Sequence, residues 1–443
     1  MSTSGLIIAA PRSGGGKTTL TLGLLVALRR RGVRVSAAKS GPDYIDPAFH
    51  AAAAGGASVN LDSWAMPPAQ IDDLAAGAMA DADLLVIESS MGLFDGVAAP
   101  PGRTGAGADL AQRLGLPVLL VLDVSGQFQT AAAVARGFTG FRPGVEIGGV
   151  VLNKLASARH RDGVVAAMAE AGVPVLGTIF REDGVVLPER HLGLVQASEQ
   201  ADLQDRLERL GDLAERSLDL EAILALAQRG ARSPPPRSPG VGLAPPGQRI
   251  ALACDAAFSF IYSHLRDGWR RAGAEIVPFS PLADEPPPES CDACWLPGGY
   301  PELHAPRLSA ARRFLDGLAD FAQTRPVHGE CGGYMILGQG LTTAEGERCA
   351  MAGLLGHATS FAQRRMNLGY RSAVLLHDCA LGARGAVIRG HEFHYSRLVE
   401  AGNDAPLVEL FDAAGVALGS AGGRRGRISG AYFHAISTEP TNA

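Results

Sequence analysis

Residues 6 to 31 leave the front of this chain few choices. Leu6 to Ala10 is a short apolar run that leads through Pro11-Arg12-Ser13-Gly14-Gly15-Gly16-Lys17-Thr18-Thr19 into a helix expected from Leu20 to Arg31. Strand, glycine turn and helix in that order form a phosphate-binding loop. Backbone N–H groups of Ser13, Gly14, Gly15, Gly16 and Thr19 can converge on phosphate oxygens, and the helix N-terminus adds its positive end. Lys17 is expected to reach the β- and γ-phosphates of ATP, and Thr18 to ligate Mg²⁺. Pro11 stands where the first glycine of the pattern is usual.

A loop of this kind implies a parallel sheet with helices between its strands, and the sequence supplies them. Strands are expected at Val33 to Ala37, Asp83 to Ser89, Pro117 to Asp123, Ile147 to Asn153 and Val173 to Thr178. Ligands of open parallel sheets bind at the carboxyl ends of the strands. There the chain places Lys39-Ser-Gly-Pro-Asp43-Tyr44-Ile45-Asp46-Pro47, a rigid loop with two carboxylates suited to Mg²⁺ and to orienting a substrate. The near-continuous apolar run before Glu88 is the pattern of a buried parallel strand delivering an acid to a metal. Asn153 can read an adenine edge or cap its own loop. The loop Leu187 to Gly193 brings further polar groups to the same edge.

Residues 200 to 228 read as amphipathic helix. Beyond them lies Arg232-Ser-Pro-Pro-Pro-Arg-Ser-Pro-Gly240, continuing to Pro245-Pro246-Gly247, a proline-rich linker. It divides the chain into 1-228, a linker at 229-248, and 249-443. At 443 residues, 47% hydrophobic, the chain can bury a core in each part. A net charge of -5 excludes the basic footprint of a nucleic-acid or membrane binder. The N-terminus shows no basic or cleavable leader, and no apolar run reaches about 18 residues. The cytoplasm is the expected address.

The second part has strands at Arg249 to Ala253, Glu275 to Phe279 and Cys291 to Leu296, and a helix from about Ser263 to Ala272. Six scattered cysteines do not make a disulfide scaffold, and Cys291 and Cys294 are a C-x-x-C without the second ligand pair that zinc needs. Cys331 differs. It lies in Gly329-Glu330-Cys331-Gly332-Gly333, a nucleophile between glycines at a tight strand-to-helix turn. The helix start would favour thiolate, and the Gly332 N–H would stabilise an oxyanion. Such a thiol needs a base within reach. His328, His391, His394 and His434 lie in plausible loops; His328, on the nucleophile's own strand, is expected to point away, His434 ends a strand expected from Ile428 to Phe433, and spacing leaves His394 and His434 open.

These residues resemble known families. Gly329 to Tyr334, with Leu296-Pro-Gly-Gly-Tyr-Pro-Glu302 and Phe433-His434, resembles a class I glutamine amidotransferase domain of the cobyrinic type. Lys39 to Asp46 and Met91-Gly-Leu-Phe-Asp-Gly96 resemble the dethiobiotin-synthetase-like P-loop ligases. Both in this order are similar to the cobyrinic acid and hydrogenobyrinic acid a,c-diamide synthase family. The resemblance implies an α/β protein, with a P-loop NTPase-type parallel-sheet domain followed by a flavodoxin-like amidotransferase domain. It implies a carbon–nitrogen ligase that uses ATP and L-glutamine to amidate the a and c carboxylates of a corrin polycarboxylic acid in cobalamin biosynthesis.

The implied roles follow motif by motif. Cys331 is the glutaminase nucleophile and His434 its base, with Gly299 and Gly332 as oxyanion-hole donors. Ser13 to Thr19 and Asn153 bind ATP. Thr18, Asp46 and Glu88 hold Mg²⁺. Asp43, Tyr44 and Ile45 touch the corrin, and Asp95 helps order the two amidations. A homodimer is the family expectation. Many glutamine amidotransferases carry a Glu two residues after the base, where this chain has Ile436. Cobyric acid synthase shares both domain types and amidates other carboxylates; Gly41 to Asp46 and the chain length favour the a,c-diamide enzyme. A regulatory P-loop ATPase would carry lysine at position 12, which here is arginine, and has no use for Cys331. A stand-alone cysteine hydrolase has no use for Lys17, Thr18 and Glu88.

Overall fold

The structure, a computed structural model, describes residues 4–182, 189–190, 193–194, 196–200, 202–230 and 242–440. The chain divides into two compact units, the first of Met1–Trp64 and Pro68–Pro239, the second of Gly240–Ala443 with Ala65–Pro67. The proline-rich stretch and most of the Leu187 to Gly193 loop lie outside the described residues.

The first unit is built on seven parallel strands: β1 (Ser4–Ala9), β2 (Val35–Ser40), β3 (Ser58–Leu61), β4 (Leu84–Glu88), β5 (Val118–Asp123), β6 (Ile147–Leu155) and β7 (Val175–Phe180). Their order in the sheet is β3-β2-β4-β1-β5-β6-β7. The middle strands are apolar throughout because helices cover both faces, so β4 is buried from Leu84 to Glu88. The helices are α1 (Lys17–Arg30), α2 (Asp46–Ala54), α3 (Pro68–Met79), α4 (Gly107–Leu114), α5 (Gln129–Phe138), α6 (Ala158–Glu170), α7 (Leu203–Ser217) and α8 (Leu220–Arg229). In register, Lys39 on β2 and Ile8 on β1 both pair with Glu88 on β4. That alignment brings the ends of three strands together beside the phosphate loop.

Three local differences from the sequence reading have physical causes. Asp46 and Pro47 start α2 instead of ending a loop, because the Asp43 carboxylate accepts the N–H groups of Ile45 at 2.7 Å and Asp46 at 2.9 Å. The expected helix of residues 200 to 228 breaks at Leu218-Asp219, where the Asp219 side chain caps α8 by accepting from Ala222 N–H. β3 is a four-residue strand at the sheet edge, too short to show alternation. α1 is buried nearly all round because α7 covers its outer face. A Cβ on Gly23 would stand 2.6 Å from the Leu210 carbonyl oxygen, so the two helices meet at a residue without a side chain. A two-residue pair, β8 (Glu189–Arg190) and β9 (Gly193–Leu194), ends the unit's strands.

The second unit has a main sheet of β10 (Arg249–Ala253), β11 (Glu275–Phe279), β12 (Ala293–Leu296), β13 (Val327–Glu330), β22 (Gly423–Arg425) and β23 (Ile428–Ala431), ordered β11-β10-β12-β13-β23-β22. Its five parallel strands have the flavodoxin-like order 2-1-3-4-5, and β22 joins antiparallel. The helices are α9 (Ser263–Arg271), α10 (Ala305–Ala310), α11 (Arg312–Thr324) and the short α12 (Gly332–Leu337). Two further sheets lie between α12 and the last strands. One holds β14 (Gly340–Thr342), β15 (Arg348–Ala350), β16 (Ala358–Ser360) and β19 (Arg397–Glu400). The other holds β17 (Asn367–Leu375), β18 (Val387–His394), β20 (Val408–Asp412), β21 (Ala417–Ala421) and β24 (His434–Thr438).

His328 lies on the nucleophile's strand as expected, and the loops expected around the other three histidines are strands. His328 is on β13, His391 and His394 are on β18, and His434 opens β24. The strand expected from Ile428 to Phe433 stops at Ala431, and the chain passes at Tyr432-Phe433 into a different sheet. Among the described residues no helix is long and apolar enough to cross a membrane.

Candidate functional site

Each unit gathers its own cluster of reactive side chains. In the first, Gly16 takes the left-handed conformation (φ 94°) that turns the phosphate loop into α1. Lys17 is 7% exposed, and its ammonium donates to the carbonyls of Arg12 at 3.2 Å and Met91 at 2.6 Å. Met91 has φ 50°, a strained backbone for a side chain of this kind. Burial, and then the charge of Lys39, push the Lys17 ammonium down to about 8. The Asp95 carboxylate accepts the Gly92 N–H at 3.0 Å. Asn153 donates to the Gly15 carbonyl at 3.0 Å, so its carboxamide ties the phosphate loop to β6.

Glu88, fully buried, is the hub. Thr18 Oγ1 donates to its Oε1 at 2.7 Å, Lys39 Nζ lies 2.7 Å from the same oxygen, and His50 Nε2 lies 2.7 Å from Oε2. Lys39 also binds Asp46 at 2.6 Å. Burial opposes ionisation of Glu88, yet Lys39 and His50 hold its carboxyl well below the usual range. Asp46 is pushed up to about 6 by burial and by the neighbouring Asp43. Here the Lys39 ammonium joins Asp46 to Glu88, on which Thr18 also sits; the sequence reading gave Mg²⁺ the oxygens of Thr18, Asp46 and Glu88. These are hard oxygen donors of the kind Mg²⁺ prefers, so the residues fit that ion. Of the residues expected to meet the corrin, Tyr44 is half-buried, Ile45 is buried, and Asp43 is engaged in starting α2.

Lys39 and His50 had no role in the sequence reading. A lysine just after a short strand run was the available signal for the first. His50, inside α2, carried none. Its Nδ1 has no hydrogen-bond partner among the described residues.

In the second unit Cys331 occupies the turn between β13 and α12 with φ 45° and ψ −101°. A non-glycine residue held there is strained, as at other nucleophile turns. The flanking glycines are required by close approach: a Cβ on Gly329 would lie 2.7 Å from the Gly333 carbonyl carbon, and one on Gly333 would lie 1.9 Å from the Leu296 oxygen. Gly332 faces the other turn, where its Cβ would stand 3.1 Å from the Gly299 N. The two expected oxyanion donors are therefore neighbours.

The expected thiolate is not favoured. α12 has only six residues, and Cys331 is 3% exposed. Burial, then the charges of Glu302, Glu330 and Glu392, push the thiol far above its ordinary value, against the help of the Gly332 N–H. The resting group is a thiol, and a base must take its proton during attack.

His434 lies against the Pro297-Gly298-Gly299 turn: a Cβ on Gly298 would stand 2.4 Å from its Cε1. Its ring stacks on His391 at 5.1 Å. Burial, then His391 and His394, keep His434 well below its ordinary value, so it is the neutral imidazole a base must be. His394 instead stacks on Tyr432 at 3.9 Å, with Nδ1 3.1 Å from the Ser396 carbonyl oxygen. His328 turns to the core side, with Nδ1 2.9 Å from Ser429 Oγ and its ring 4.6 Å from Trp295. Of the two histidines that spacing left open, His434 lies against the Gly298 turn and His394 is held by Tyr432 and Ser396. The acids Glu302, Glu330 and Glu392 around Cys331 were missed; Glu330 had one signal, a charged residue directly before the nucleophile.

Comparison with known proteins bears on both clusters. The family profile described as CobQ/CobB/MinD/ParA nucleotide binding domain matches residues 6–195. The profile described as CobB/CobQ-like glutamine amidotransferase domain matches residues 249–441. Among curated relatives, a hydrogenobyrinate a,c-diamide synthase of Mesorhizobium japonicum is 60% identical over 442 residues, 99% of each chain. Proteins of the same name from Agrobacterium fabrum and Rhodobacter capsulatus are 56% identical (99% of each chain) and 55% identical (98% of each chain).

Proposed function

The chain belongs to the hydrogenobyrinate a,c-diamide synthase family, and from that premise we propose that it amidates the a and c carboxylates of hydrogenobyrinic acid, a metal-free corrin, in cobalamin biosynthesis. It spends ATP and takes nitrogen from glutamine. One observation carries this reading: the chain that holds Lys17 and Glu88 at a phosphate loop also holds Cys331 at a strained turn, with a neutral His434 against the Gly298 turn and near Glu330, the residue before the cysteine.

The chemistry divides between the two clusters. In the first unit Ser13 to Thr19 cradle the phosphates of ATP, Lys17 neutralises charge on the transferring γ-phosphoryl group, and Asn153 borders the adenine. Thr18, Asp46 and Glu88 would hold Mg²⁺, which supplies charge neutralisation at the phosphates. Asp43, Tyr44 and Ile45 meet the corrin, and Asp95 helps order the two amidations. A substrate carboxylate oxygen attacks the γ-phosphorus and ADP leaves, giving an acyl phosphate. Ammonia attacks its carbonyl carbon and phosphate leaves.

In the second unit the Cys331 sulfur attacks the side-chain amide of glutamine while His434 takes the thiol proton. The N–H groups of Gly299 and Gly332 stabilise the oxyanion. His434 returns the proton to the leaving nitrogen, releasing ammonia, and then takes one from the water that hydrolyses the thioester. The working parts are 1-228 for ligation and 249-443 for glutamine hydrolysis, in a cytoplasmic enzyme that acts as a homodimer.

The test is Cys331→Ala with ATP, Mg²⁺ and hydrogenobyrinic acid, following product mass. Amidation from ammonium salt but not from glutamine is expected. Absence of amidation from either source in the wild type would overturn the reading.

A further inference from the structure

Position 436, where many glutamine amidotransferases keep an acid for the base, is an apolar plug. Ile436 is 1% exposed, and its carbonyl oxygen lies 3.0 Å from His264 Nε2. An acid approaches His434 from a different element. Glu330, the last residue of β13, places Oε2 3.8 Å from His434 Nδ1, and both side chains are 1% exposed. The other carboxyl oxygen accepts the backbone N–H of Ala435 at 2.9 Å. Glu330 is thus fixed by the residue that follows His434, and β13 and β24 belong to different sheets.

We propose that Glu330 is the positioning residue for His434, doing from the nucleophile's own strand what an acid two residues after the base does elsewhere. This rests on the glutaminase reading above. As the Cys331 sulfur attacks glutamine, its proton passes to His434 Nε2. The Nδ1–H then points at Glu330, whose carboxylate faces the imidazolium until the proton leaves with the departing nitrogen. A contact of 3.8 Å is longer than a hydrogen bond, but catalytic contacts in substrate-free enzymes are often long and close with substrate.

Burial gives the pair a pH signature. With water excluded, Glu330 is pushed up to about 8, so its carboxylate form grows in only above neutrality. Of the titratable groups around the pair, Cys331 faces Glu330, and His391 and His394 on β18 face His434, while Glu302 and Glu392 bear on Cys331.

The experiment compares the full-length wild type with Glu330→Gln and Glu330→Asp. Hydrolysis of L-glutamine is followed from about pH 6 to about pH 9.5, beside ammonium-driven amidation and thermal unfolding. Gln keeps an acceptor for the Ala435 N–H but carries no charge. We expect kcat/KM for glutamine to fall roughly tenfold to a hundredfold in Glu330→Gln. We expect the rise of activity through the pH region of Glu330 to disappear, and Glu330→Asp to restore part of both. Amidation from ammonium should persist, and the melting temperature at alkaline pH should hold or rise. Unchanged glutamine hydrolysis with the pH rise intact would overturn the inference. So would a loss that tracks a fall in melting temperature, which is the mark of a structural role. A wild type without glutaminase activity would strike the Cys331–His434 reading itself; wild-type hydrolysis with an indifferent Glu330→Gln would strike this inference alone.

Discussion

The two clusters keep their charges in opposite ways. Around Glu88, buried groups are ionised and neutralise one another: Lys39 against Asp46 and Glu88, with His50 closing the far carboxyl oxygen. Around Cys331, burial drives groups toward their neutral forms: the thiol up, His434 down, Glu330 up to about 8. The difference follows from the chemistry. Phosphoryl transfer needs fixed charge in place before the substrate arrives. Thiol attack needs charge to appear only when glutamine is there, so a resting thiol and a neutral base are the better starting state.

The same difference gives the two acids opposite pH dependence. Glu88 is held below its ordinary value, so its contribution to stability is present above about pH 4.5 and lost as pH falls through its folded-state value. Glu330 is held above it, so the folded state takes up a proton that the unfolded chain has released. Its contribution is largest below about pH 4.5 and declines as pH rises toward about 8.

Substitutions can break or sharpen the contrast. The largest effect is expected for Lys17→Ala, which should lower amidation from either nitrogen source by roughly a thousandfold or more while basal glutamine hydrolysis survives. Loss of both activities, with the circular dichroism spectrum intact, would mean the clusters do not work independently. Next comes Lys39→Met, which strands two buried carboxylates and should cost about 3–5 kcal/mol in urea unfolding. A cost below about 1 kcal/mol would show that Asp46 and Glu88 take up protons instead. The smallest is Arg371→Gln. Its ion pair with Glu392, 2.7 Å long with both side chains 14% exposed, is a charged pair on an acid that bears on Cys331. It should cost about 1–2 kcal/mol. Because Arg371 also helps hold His391 and His394 down, both histidines should titrate at higher pH in the variant, as NMR can follow.

Much of this was legible because it is local. Gly14 to Thr18 between a strand and a helix define a phosphate loop, and Gly329 to Gly333 define a nucleophile turn, since backbone geometry at those points admits few residues. The parallel strands were legible from runs such as Leu84 to Glu88, which only a doubly covered sheet can bury. Less was legible where strands pair over distance. β17 to β22 and β24 did not stand out as strands, and His391, His394 and His434 were read as loop residues, because no local period marks strands whose partners lie far along the chain.

By itself, the sequence determined the two α/β halves, the phosphate loop, the cysteine at its glycine-bracketed turn and the family. Each depends on residues adjacent in the chain. Only the tertiary structure decided that Lys39 joins Glu88 to Asp46, that burial holds Cys331 as a thiol, and that Glu330 comes to face His434. These depend on strand register and on the exclusion of water, and residues more than a hundred positions apart in the chain, such as Glu330 and His434, acquire a common environment only when the sheets form.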